Sequence, residues 1–327
     1  MIRLLVVAAT FLLACGGAEA TKLDLSAVNQ TQFSSATPKG FSPVVLKAQV
    51  LLDRARFSPG LIDGRLGENF TKAVSAFQTA NGLPSDGKLT QETWDKLLAT
   101  SSSPVLIIYE LTRKDVRGPF TKRIPAHLER MAHLSRLGYH NAIEQLAERF
   151  HVSEPLLRRL NRGISFTKAG TKLLIPDVGR GDPPAIAEVQ VDKEARVLRA
   201  LDPSGKALAV YPASIGSDEK PAPSGQATVK RVVHNPTYQY NPHFAFKGVK
   251  TKRPFTIAAG PNNPVVICRL KATAFTARLN PAKSGMTFSH GCIRLTNWDA
   301  EDLASMVQKG TKVSFKDEMA DAGETPN

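Results

Sequence analysis

The chain has 327 residues, 42% hydrophobic and 22% charged, which is enough to bury the cores of two or three domains and too apolar for a disordered chain. A formal net charge of +14 suits a polyanionic wall or an anionic membrane surface. No basic run, zinc-finger spacing or aromatic-basic interleave supports nucleic acid as the partner, and three cysteines are too few for a disulfide framework.

Residues 1–20 read as a secretory signal: Arg3 at a positive start, an apolar core from Leu4 to Leu13, and a small-x-small cleavage site at Ala18-Glu19-Ala20. The mature chain is therefore expected in the periplasm or cell envelope. Leu12-Leu13-Ala14-Cys15 also resembles a lipoprotein cleavage site, so a lipid anchor at Cys15 is the competing reading. No later stretch approaches the roughly 20 apolar residues of a membrane-spanning helix.

A polar leader, 21–40, precedes three helical stripes in 41–100. These are Val44, Lys47, Ala48, Leu51 and Leu52; then Phe70, Ala73, Val74 and Phe77; then Trp94, Leu97 and Leu98. Asp63-Gly64-Arg65-Leu66 and Asp86-Gly87-Lys88-Leu89 repeat one turn pattern ahead of helices. After a connector, 101–138, residues 139–178 carry a helix with Ala142, Leu146, Ala147 and Phe150. A second helix, capped by Ser153, carries Leu156, Leu157 and Leu160, and Gly170–Pro176 reads as a closing strand. A Gly/Asp/Pro linker, 179–185, leads into 186–316, where Val189–Val191, Val197–Leu201, Ala207–Tyr211, Ala227–Val233 and Phe255–Ala258 alternate as strands. Residues 317–327 read as a disordered tail.

The chemistry concentrates at Ser289-His290-Gly291-Cys292-Ile293-Arg294. A thiolate is a strong nucleophile, an imidazole accepts its proton, and a guanidinium grips a carboxylate bidentately. That combination suits acyl transfer.

The string, continued by Leu295–Ala300 and Gly310-Thr311-Lys312-Val313, resembles the nucleophile signature of the L,D-transpeptidases with their YkuD-type catalytic domain. Tyr211–Gly216, the turn Pro221–Gly225, Tyr240-Asn241-Pro242 and Gly260–Pro264 resemble the strands and loops that lead to that site. The 41–100 bundle, with Gln78–Leu83 and both Asp-Gly turns, resembles a peptidoglycan-binding domain. The helix–Asn161–strand half of 139–178 resembles a LysM module, although Gly138–Asn141 lacks its usual opening turn.

The resemblance implies a multidomain α+β protein: a small three-helix peptidoglycan-binding bundle, a small LysM-like α/β unit and a mostly β sandwich catalytic domain. It implies a cysteine acyltransferase, without metal or organic cofactor, whose partners are peptidoglycan stem peptides and glycan strands. Cys292 would be the nucleophile, the amides near Gly291 and Cys292 the oxyanion donors beside Ser289, and His290 an accessory to the oxyanion region or a proton carrier. Arg294, Tyr240 and Asn263 would bind substrate or organise loops.

One departure is specific. Where the family carries its base histidine in a Tyr-Gly-Ile-His-Gly-Thr-like strand, this chain has Phe275-Thr276-Ala277-Arg278, so Thr276 stands at the base position. Suitable codons for Ala274–Pro281, read one frame over, spell Ile-His-Gly-Thr-Pro-Glu-Pro, which suggests compensating indels near Val265 and Gly285. The alternative function is a catalytically inactive wall-binding protein.

Overall fold

The computed structural model describes residues 25–216, 223–243, 251–263, 266–269, 274–276 and 293–316; between 264 and 276 it describes strand backbones and the Phe275 side chain. The expected signal, Cys15, part of the leader and the tail lie outside the described residues.

The N-terminal unit consists of a short helix α1 (Leu25–Asn29) and three longer ones, α2 (Pro43–Arg54), α3 (Glu68–Ala80) and α4 (Gln91–Ala99). Ser42 and Thr90 cap α2 and α4 through their hydroxyls, which accept from Val45 and Thr93 amides, satisfying donors that helix starts leave free. Their apolar stripes converge on Leu46, Val74, Phe77, Trp94 and Leu97, each at most 2% exposed.

Each Asp-Gly turn is clasped by a buried glutamine. Gln49 Oε1 accepts from the Asp63 and Gly64 amides while its Nε2 donates to the Arg65 carbonyl. Gln78 repeats this, accepting from the Gly87 amide and donating to the Lys88 carbonyl. Gly64 and Gly87 have φ of +71° and +70°, the left-handed geometry that glycine adopts without steric cost. The repeat is thus structural: one glutamine from the preceding helix holds one glycine turn.

The chain next forms β1 (Leu106–Glu110), α5 (Arg113–Arg117), α6 (Leu128–Met131), α7 (Ala142–Arg149), α8 (Glu154–Leu160) and β2 (Lys172–Pro176). β1 and β2 pair antiparallel, from Leu106 opposite Pro176 to Glu110 opposite Lys172. The strand facing β2 therefore comes from the stretch read as a connector. Asn161, 4% exposed, fastens α8 to β2: its Oδ1 accepts from the Leu174 amide at 2.7 Å and its Nδ2 donates to the Leu174 and Leu157 carbonyls.

The C-terminal unit opens with β3 (Glu188–Asp192), β4 (Val197–Leu201), β5 (Ala207–Pro212) and β6 (Ser214–Ile215). It continues with β7 (Gly225–Thr228), β8 (Arg231–Val232), β9 (Tyr238–Tyr240) and β10 (Phe255–Ile257). Then come β11 (Val266–Arg269), β12 (Ala274–Thr276), β13 (Ile293–Arg294), α9 (Asn297–Met306) and β14 (Lys312–Lys316). One five-stranded sheet runs β5-β4-β3-β14-β7, a second runs β6-β13-β12-β11-β8, and β9 pairs with β10. Both large sheets are mixed, with β14 parallel to β3 and β13 parallel to β12. Val189, Leu198 and Tyr211 from the first sheet, Phe275 and Ile293 from the second, and Leu303 from α9 share one core. The whole is an α+β architecture in which the described helices other than α9 precede the two mixed sheets, with α9 between β13 and β14.

The units are joined by backbone as well as side chains. Segment 56–58 adds to the free edge of β5: the Val210 amide donates to the Arg56 carbonyl and the Ser58 amide to the Val210 carbonyl, both at 2.8 Å. A sheet edge is a row of unpaired donors and acceptors, and the N-terminal unit covers this one. Ile62 bridges in the same way to His151 and Ser153.

Candidate active site

β13 of the second sheet begins one residue after the proposed nucleophile Cys292 in sequence. Phe275 lies beside Ile293 and Thr276 beside Arg294 in parallel register, and Arg294 also faces Ser214 across an antiparallel pair. Phe275 and Ile293 are fully buried, which anchors this strand pair in the core. Ser289, His290, Gly291 and Cys292 lie outside the described residues; the described chain resumes at Ile293, one residue after the cysteine. Beyond β13, Leu295 is buried and the Thr296 hydroxyl caps α9 by accepting from the Asp299 amide at 3.2 Å.

Asn263 and Tyr240 are both buried. Asn263, fully enclosed, donates through Nδ2 to the Ala258 carbonyl at 2.7 Å and the Pro236 carbonyl at 3.2 Å, so it closes the loop between β10 and β11. Its Oδ1 has no hydrogen-bond partner among the described residues. Tyr240 is 3% exposed and stacks on Phe255 at 4.6 Å, a packing position within the β9–β10 pair.

That loop is held from outside its own domain. The Leu137 amide donates to the Ala259 carbonyl, and the Asn262 amide donates back to the Leu137 carbonyl at 3.0 Å. Asn262 Nδ2 also donates to the Gly138 carbonyl and to Glu144, each at 3.0 Å. Gly260 has φ of +149°, and a Cβ there would collide with the Leu137 carbonyl, so the close approach requires glycine. On the α9 side, Asn297 Nδ2 donates to Glu148 of α7 and, at 3.0 Å, to the Pro261 carbonyl. Burial, reinforced by Glu144 and Glu301, pushes the Glu148 carboxyl up to about 7 against the hydrogen bonds from Asn297 and Tyr139. Glu148 was missed in the sequence because a glutamate on an amphipathic helix reads as a solvated face, whereas Asn297 stood in the motif Leu295–Ala300 without an assigned role.

Beneath this surface a buried polar cluster joins all three units. Arg180, 9% exposed, reaches Asp53 at 2.8 Å, Asp302 at 2.6 Å and Asp299 at 4.0 Å. His151 Nδ1 lies 2.9 Å from Asp53, and its ring stacks on Trp298 at 5.0 Å. Ser58 donates to Asp299 at 3.0 Å and Tyr211 to Asp302 at 2.6 Å. Burial pushes Asp299 up to about 7 despite Arg180. Burial also works against ionised Asp53, yet Arg180 and His151 hold it below its ordinary value. One linker cation thus neutralises carboxylates from α2 and α9. Nothing local in the linker sequence singled out Arg180, since its partners lie 119 or more residues away in either direction.

Parts of the chain are similar to known proteins. Residues 187–314 match the L,D-transpeptidase catalytic domain family, and residues 42–97 match the family described as "Putative peptidoglycan binding domain". The chain is 28% identical over 194 residues to the "Probable L,D-transpeptidase YbiS" of Escherichia coli K12, covering 57% of this chain and 63% of that protein. It is 28% identical over 177 residues to the "Putative L,D-transpeptidase YkuD" of Bacillus licheniformis, covering 53% of this chain and 92% of that protein. A crystal structure of the L,D-transpeptidase (residues 123–326) from Xylanimonas cellulosilytica aligns at TM-score 0.38 and 16% identity, over 88% of this chain and 100% of that one. The match thus spans somewhat under two thirds of the E. coli relative's length. Residues 187–314 are thus similar to an L,D-transpeptidase catalytic domain and residues 42–97 to a putative peptidoglycan-binding domain.

Proposed function

We propose that this protein is an exported cysteine L,D-transpeptidase that attacks the L,D bond of peptidoglycan tetrapeptide stems and passes the acyl group to an amine. The observation that carries the reading is Ser289–Arg294 falling inside the matched catalytic domain, at the point where the chain enters β13 beside β12. Cys292 is the nucleophile: its sulfur attacks the amide carbonyl, the leaving amine takes a proton, and a second amine resolves the thioester. Amides near Gly291 and Cys292, beside Ser289, receive the oxyanion. His290 is the nearest imidazole in sequence for carrying the proton. Arg294 organises the nucleophile strand or meets a substrate carboxylate. Asn263 and Tyr240 act by holding loops, in keeping with their burial. The 42–97 domain raises the local concentration of wall substrate. The unit spanning β1 to β2 serves as a LysM-like docking module.

A second reading, a wall-binding protein that does not turn over, is favoured by Thr276 at the position expected to carry the base. A thiol near its free pKa of about 8.5 is only a few per cent thiolate at neutral pH. Incubation with a carbapenem separates the two. A covalent mass increase, lost in Cys292→Ala, supports the enzyme; retention on isolated peptidoglycan without any adduct refutes it in favour of the binder. Muropeptide profiles then distinguish transfer from hydrolysis.

A further inference from the structure

A cleft of about 510 Å³ opens between the β1–β2 unit and the catalytic domain. Its walls include Lys114, Arg136, Tyr139, Glu148, Asn297 and Trp298. The volume falls within the roughly 300–1,000 Å³ of ligand pockets, and aromatic rings mixed with a few amide and charged groups are what such pockets present.

Three observations point to an occupant. Trp298, which lines the cleft, is 6% exposed, and its Nε1 has no hydrogen-bond partner among the described residues. A buried indole N–H is normally bonded, so an acceptor entering the cleft would complete it. Lys114 and Arg136 are exposed on the rim and make no ion pair among the described residues, whereas neighbouring Arg149 is engaged by Asp115 at 2.8 Å. Burial raises the Glu148 carboxyl to about 7, so near neutrality it is partly protonated and hydroxyl-like, leaving Glu301 as the acidic group against those cations.

Position adds a further constraint. Asn297 on the cleft wall is five residues from Cys292, and five residues span at most ~18 Å. An extended tetrapeptide stem spans ~14 Å by the same measure. Chain connectivity alone keeps Cys292 no farther than ~18 Å from Asn297.

We propose that this cleft is a peptidoglycan subsite that holds the N-acylated amino sugar of the donor strand together with the first free carboxylate of its stem peptide. Lys114 and Arg136 take the carboxylate, and the Trp298 N–H takes a sugar or acetamide oxygen. The stem then extends toward Cys292. This rests on the transpeptidase reading above and names where its substrate's glycan end sits.

The test uses full-length Cys292→Ala protein, calorimetry, and three probes: a soluble disaccharide–tetrapeptide, the free tetrapeptide, and an N-acetylated chito-oligosaccharide. The disaccharide–tetrapeptide is expected to bind at least tenfold more tightly than either other probe. Adding Lys114→Glu and Arg136→Glu, both at exposed positions, should weaken it tenfold or more with the melting temperature unchanged. Equal binding of the chito-oligosaccharide, or an affinity indifferent to the double reversal, overturns the subsite. Carbapenem acylation of the wild-type cysteine is read separately. An adduct without charge-dependent binding sinks the subsite alone, and charge-dependent binding without an adduct sinks the catalytic reading while supporting the subsite.

Discussion

Replacing Arg180 with methionine tests whether the buried cluster locks the three units together. The substitution removes the cation that sits 2.8 Å from Asp53 and 2.6 Å from Asp302, and leaves Asp53 and Asp299, both fully buried, without it. Removing one partner of a buried ion pair costs about 3–5 kcal/mol, because the remaining charge stays desolvated. At about 2–4 °C per kcal/mol for a unit of this size, the melting midpoint should fall by roughly 6–20 °C. The two tryptophans report from the two sides, Trp94 from the helical bundle and Trp298 from α9 at the cluster itself. Fluorescence-detected unfolding should therefore change from one transition to two in Arg180→Met, and proteases should cut the 179–185 linker faster. A variant that also carries Asp53→Asn and Asp299→Asn, with Asp302 still paired to Arg56 at 3.3 Å, should regain most of the loss, since neither fully buried carboxylate then carries a charge. An Arg180→Met protein that melts within 2 °C of wild type (a tolerance of roughly 1 kcal/mol), in a single transition, would refute the lock.

Other outcomes follow from the same structure. Gln78→Leu strands the Gly87 amide and should cost about 1–3 kcal/mol by urea denaturation, against under about 0.5 for exposed Gln91→Ala. Glu148 binds its proton more tightly folded than unfolded, so its contribution is complete at low pH and declines as pH rises from about 4.5 to about 7. Stability should fall across that window by up to about 1.4 kcal/mol per pH unit, and Glu148→Gln should flatten this part of the profile; an unchanged slope contradicts the assignment. Thr276→His should raise the rate of carbapenem acylation of Cys292 by about 10²–10⁴ if position 276 is where the base belongs. Codons for 265–285 that spell no histidine in any frame would dispose of the indel idea.

Much of the secondary structure was legible locally. The stripes at Val44–Leu52, Phe70–Phe77 and Trp94–Leu98 became α2, α3 and α4, and Val197–Leu201 is β4 residue for residue. The expected strand Ala227–Val233 is broken into β7 and β8, which belong to different sheets. Alternation marks a strand but carries no signal for a change of sheet partner. The proposed nucleophile string, which lies outside the described residues, is spelled by adjacent residues.

Sequence alone determined what periodicity, turn chemistry and contiguous motifs encode: the helices, the glycine turns, and a cysteine among groups suited to acyl transfer. Tertiary structure alone decided how the pieces meet. β1 finds β2 across more than 60 residues, Arg180 gathers carboxylates from α2 and α9, and Glu148 of one unit holds Asn297 of another. The physical reason is that a side chain's propensity is set by its neighbours along the chain. The cost of burying a charge or an amide is set by whatever folding brings opposite it, and that partner is invisible to any local pattern.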